Sequence, residues 1–65
     1  MSNKELQKFE ALLSKKFFSI NQIRKFIEND FVTGVAQIAP DNEQPNLVRY
    51  SITLTNGNIH YVYVK

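Results

Sequence analysis

Cysteine is absent from this chain of 65 residues. That lack removes disulfides, thiolate metal sites and cysteine nucleophiles together. Histidine is nearly absent too: His60 stands alone, and one imidazole without accompanying ligands does not make a zinc site. The expectation is no metal and no cofactor. The only glycines, Gly34 and Gly57, are far apart in the chain, so neither a phosphate-cradling loop nor a glycine-flanked serine elbow can be built. No window approaches the roughly 18 apolar residues of a membrane span. The opening MSNKELQK has no apolar core of the signal-peptide type. A cytoplasmic protein with no membrane partner is expected.

An excess of one charge is also lacking. Eight Lys and Arg against six Asp and Glu leave a net charge of +2, whereas strong nucleic-acid binders usually concentrate far more positive charge. What is present, 43% hydrophobic and 22% charged residues, fits one small globular domain over residues 1–65 rather than a disordered chain. So short a chain buries only about 60% of the surface its unfolded form exposes. With disulfides and metals excluded, a protein partner or a second copy is the remaining support. The abundance of Lys, Asn and Ile, which have AT-rich codons, suggests an AT-rich genome, whether bacterial, phage or plasmid, and the chain is expected to come from a phage or mobile element.

Residues 3 to 17 read as a helix, because Leu6, Phe9, Leu13 and Phe17 recur at spacings of three and four on one face. Ser2 and Glu5 have capping-box spacing, and Met1 with Leu6 the spacing of a hydrophobic staple. A second helix starts at Ser19, where Ser19 and Gln22 repeat the box and Phe18 with Ile23 the staple. Ile20, Ile23, Phe26 and Ile27 form its apolar stripe, and Asn29 is placed for a left-handed stop.

From Phe31 the pattern is β-branched and aromatic: FVTGVAQIA is a strand, PDNEQPN a loop and LVRYSITLT an alternating strand. Asn56-Gly57 then predicts a two-residue type I′ turn. That turn sets Leu54 opposite Ile59, Ile52 opposite Tyr61 and Tyr50 opposite Tyr63. Val48, Tyr50, Ile52, Leu54, Ile59, Tyr61 and Tyr63 then face the core. Arg49, Ser51, Thr53, Thr55, His60, Val62 and Val64 face outward. Gly34 and Ala36 would let a helix approach closely. The predicted fold class is α+β: two N-terminal helices packed on one face of a three-stranded antiparallel β-meander, ααβββ.

In that arrangement His60 has no carboxylate near it, since every acid lies in a helix or loop, and no catalytic partner is expected. An enzyme is not expected. The more unusual feature is the last strand, 58–65. It lies at a sheet edge, has only Lys65 as a charge, and turns Val62 and Val64 outward where polar residues usually stand. The expected function is a small non-enzymatic interaction module, a regulator or inhibitor. It would bind a protein, or its own copy through strand 58–65, with Arg49, His60, Val62 and Val64. The alternative is a nucleic-acid-binding regulator. Lys4, Lys8 and Lys15 share the polar back of the first helix, and Lys16, Arg24 and Lys25 would extend a phosphate-contacting ridge. A winged-helix arrangement would combine these, but its core has three helices and only two are readable here.

Overall fold

The computed structural model describes residues 4–65. The proposed box at Ser2 and Glu5, and the staple at Met1 and Leu6, involve positions outside the described residues. The chain runs α1 (Lys4–Leu13), β1 (Phe17–Phe18), α2 (Ile20–Ile27), β2 (Val32–Ile38), β3 (Val48–Leu54) and β4 (Ile59–Val64). The fold is α+β, as expected, but the sheet is not a three-stranded meander. It has four strands in the order β1-β4-β3-β2. β1 runs parallel to β4, and β3 antiparallel to both β4 and β2.

The fourth strand exists because α1 stops four residues before its apolar spacing ends. Lys15 and Lys16 N–H turn back to Leu12 and Leu13 C=O, and Lys16 then adopts φ 70°, the left-handed position where a helix terminates. Glycine or asparagine usually marks that position; here a lysine occupies it unannounced. Phe17 and Phe18 leave the helix extended and alternate as strand residues do. Phe18 is buried while Phe17 is exposed. Phe17 pairs with Tyr63 and Phe18 with Val64.

α2 follows its sequence signals at the start. The Ser19 hydroxyl accepts from Gln22 N–H at 3.3 Å, and the Gln22 side chain accepts from Ser19 N–H at 2.9 Å, closing the capping box. Its end differs from expectation, since Asn29 is not left-handed. Instead its side-chain oxygen accepts from Phe31 N–H at 2.8 Å, a local turn that aims the chain into β2. Ile23 and Phe26 are buried, whereas Ile20 and Ile27 of the predicted stripe are exposed.

The β3–β4 hairpin corrects the register by one residue. Leu54 N–H donates to Asn58 C=O and Gly57 N–H donates to Leu54 C=O, both at 2.9 Å. Those bonds define a three-residue loop, Thr55-Asn56-Gly57, with only Gly57 at positive φ (87°). This is a type I turn closed by a left-handed glycine, not the type I′ turn that needs positive φ at Asn56 too. One extra loop residue turns the whole of β4 over. Ile52 now pairs with His60, Tyr50 with Val62 and Val48 with Val64. Val62 is consequently 0% exposed while Ile59 and Tyr61 are 52% and 48% exposed. β3 faces as predicted; β4 is inverted.

A second irregularity lies between Val32 and Gly34 of β2, where Thr33 is the extra residue and its hydroxyl donates to Thr53 C=O at 3.2 Å. The bulge leaves Val32 and Val35 both half-buried and Gly34 and Ala36 exposed. A Cβ at Gly34 would meet nothing within 4 Å, so no helix approaches there. The core is one cluster of Leu6, Phe9 and Leu13 from α1, Phe18 from β1, Ile23 and Phe26 from α2, Ile52 and Leu54 from β3 and Val62 from β4. Phe26 is its hub. It meets Phe9 edge-on at 5.4 Å and Phe18 edge-on at 5.1 Å, each such pair adding about 0.5–1.5 kcal/mol to area burial.

Candidate binding surface

The residues predicted as an interface do not share one surface. Val62 is in the core, Val64 is half-buried against it, and His60 points to the same side of the sheet. Only Arg49 remains on the outer face, the one opposite the core cluster, where it pairs with Tyr63. The physical reason is the three-residue loop, which exchanges the two sides of β4. Nor is strand 58–65 a bare edge, because β1 takes its C-terminal half. Tyr63 N–H donates to Lys16 C=O at 2.6 Å and Lys65 N–H to Phe18 C=O at 3.1 Å. Self-pairing along the full strand would have to displace β1.

His60 has the carboxylate that sequence reasoning denied it. Its Nε2 lies 2.8 Å from Glu10 Oε2, and Glu10 also accepts from Asn56 and Asn58 Nδ2 at 3.0 Å each. Those bonds, from Asn58 first and His60 next, hold the Glu10 carboxyl below its ordinary value, with desolvation opposing them. The pairing fastens the hairpin to α1. Ser14, which lines the same cleft as His60, donates its hydroxyl to Ala11 C=O within its own turn. Among the described residues, no group of three His, Asp or Glu side chains is placed to hold a metal. The sequence carried one weak sign of Glu10: it stands between Phe9 and Leu13, at the border of the apolar stripe.

The five cations of the alternative reading are all exposed. Lys8 lies on α1, Lys15 and Lys16 in the turn beyond its end, and Arg24 and Lys25 in the last turn of α2. α1 ends at Leu13, so Lys15 does not continue the helical face of Lys8.

The outer face carries instead a set of aromatic contacts. Phe17 stacks on Tyr63 at 5.3 Å and 25°. The Arg49 guanidinium lies 4.8 Å from the Tyr61 ring centre and the Lys65 ammonium 4.9 Å from that of Phe17. Tyr63 donates its hydroxyl to Asp41 Oδ2 at 2.8 Å, tying the loop after β2 to this face. Asp41 is held below its ordinary range by the Glu43 N–H and by that hydroxyl, and Tyr63 is pushed up by the same bond. A cleft of about 380 Å³ opens where this face meets the end of α1, with Leu13, Lys16, Arg49, Ile59 and Tyr61 in its wall. The spacing of Phe17 from Leu13 imitates a helix, and a two-residue turn would place Ile59 and Tyr61 in the core, so the sequence does not mark these three as one surface.

No family model, curated protein sequence or solved structure matches the chain. Among the described residues, no helix is long and apolar enough to cross a membrane.

Proposed function

We propose that this chain is a small non-enzymatic protein-binding module, a regulator or inhibitor in kind, which binds through its outer sheet face. The proposal takes α1 and α2 as one layer over the core face, leaving the other face of the sheet to a partner. One observation carries it: Phe17, Ile59 and Tyr61, each 40–52% exposed, stand together on that face beside Arg49. Exposed apolar patches with aromatic and Arg side chains are the composition of interface centres. A sheet face held only for solubility would carry polar residues at these positions.

The test places a photo-crosslinking residue at Ile59 and, in a second protein, at Asn21 on α2, and captures partners from cells. Crosslinks specific to position 59, lost when Tyr61→Ser is added, support the proposal. Equal crosslinking at both positions overturns it. Nucleic acid is the competing partner, favoured by the exposure of Lys8, Lys15, Lys16, Arg24 and Lys25. Binding to mixed DNA and RNA that falls steeply with salt would support that alternative.

A further inference from the structure

β4 is only partly covered by β1, and the uncovered part has a specific boundary. Tyr63 and Lys65 direct their N–H groups outward to β1, whereas Asn58 directs its C=O inward to Leu54. Alternation along an antiparallel strand therefore turns the Tyr61 N–H and C=O outward as well. The next rung of the parallel ladder would run from Lys16 N–H to Tyr61 C=O. It does not form, because Lys16 N–H is bonded to Leu13 C=O at 3.1 Å and its φ of 70° swings the chain away. The 380 Å³ cleft opens at this missing rung.

Lys16 and Arg49 line the cleft, and among the described residues no carboxylate does. Two acids stand beside it: Glu10 bonds His60, which is itself in the cleft wall, and the Arg49 charge acts on Asp41. Glu10 is held by His60, Asn56 and Asn58, and Asp41 by Tyr63 and the Glu43 N–H. Arg49 Nε is buried without a hydrogen-bond partner, and its guanidinium rests against the Tyr61 ring. Leu13 and Ile59 add apolar wall.

We infer that the open stretch of β4 at Ile59–Tyr61, beside Lys16 and Arg49, takes an extended peptide segment bearing an acidic side chain. The peptide continues the line that β1 leaves off. Its main chain pairs with the outward groups of Tyr61, and its carboxylate meets the two cations. Strand addition supplies affinity through the backbone and selectivity through the side-chain pocket. This inference rests on the protein-binding reading above and names the partner's chemistry.

Two pools of acetylated, amidated hexapeptides test it, one with Glu fixed at the third position and one with Gln, the other positions being randomised. Each is titrated into the uniformly ¹⁵N-labelled full chain. The expected result is movement of the Ile59, Tyr61 and Lys16 amide signals, with the Glu pool about fivefold tighter than the Gln pool. Arg49→Gln and, separately, Lys16→Gln bring the two pools level. Lys16 is exposed, so its variant keeps the test available where Arg49→Gln disturbs the fold. Equal affinity for both pools overturns the acidic preference. Still signals at Ile59–Tyr61 overturn the site, and if position-59 crosslinks persist in that case, the protein-binding reading stands without it.

Discussion

Glu10 and His60 meet at 2.8 Å across 50 positions of chain. Hydrogen bonds from Asn58, His60 and Asn56 hold the Glu10 carboxyl below its ordinary value of 4.5. A carboxyl lowered in the folded state binds fewer protons there than in the unfolded chain. It therefore stabilises the fold above its unfolded pKa and loses that effect as pH falls through the folded value. In urea denaturation, wild type is expected to exceed Glu10→Gln at neutral pH, and the gap to shrink as pH drops below 4.5. A gap that stays constant down to about pH 2 would remove the carboxylate from the account. Asp41 titrates in the same direction but is common to both proteins and cancels in the difference.

The register of the hairpin predicts opposite outcomes for two neighbouring apolar residues. Val62→Ala empties a fully buried position and is expected to cost about 2 kcal/mol. Ile59→Thr changes an exposed side chain on a strand and is expected to stay within about 0.5 kcal/mol of wild type. Chemical denaturation midpoints decide it; the reverse order would restore the two-residue turn.

The two glycines are expected to differ in sign. Gly57 sits at φ 87°, so Gly57→Ala forces a left-handed alanine and costs about 1–2 kcal/mol. Gly34 has negative φ and open space where a Cβ would go. Gly34→Ala is expected to stabilise by up to about 1 kcal/mol through the unfolded chain. Thermal midpoints of the two variants should move in opposite directions.

Ser19→Ala removes the hydroxyl that accepts from Gln22 N–H at the start of α2. The loss is expected to be about 1 kcal/mol, and Ser19→Asp should recover most of it. A variant as stable as wild type would mean that burial of Phe18 and Ile23 alone sets where this helix begins.

Local chemistry was legible in the sequence; counting across irregular positions was not. The α2 cap, the approximate spans of the three longer strands and the inward face of β3 follow from residue types within a few positions of one another. β1 was hidden because its two residues continue the helical spacing of Leu13 and no glycine announces the turn at Lys16. Asn56-Gly57 rightly marked a hairpin, but the pair serves a three-residue loop as readily as a two-residue one. That single ambiguity inverted β4 and with it the candidate interface. The Glu10–His60 pair depends on that register and on tertiary packing, so the place of Glu10 at the border of the apolar stripe could not name His60 as its partner.

The lysine that ends α1 with φ 70° has a consequence for the order of assembly. β2, β3 and β4 pair between sequence neighbours, and such hairpins close within microseconds. β1 joins only when Phe17 finds Tyr63, a closure spanning most of the chain, whose entropy must be met before its few contacts reward it. Its pairing is expected to form after the rate-limiting step. Weakening it with Phe17→Ala should then leave the folding rate nearly unchanged and quicken unfolding. The β1 flank would be the first part of the sheet to open and the last to close.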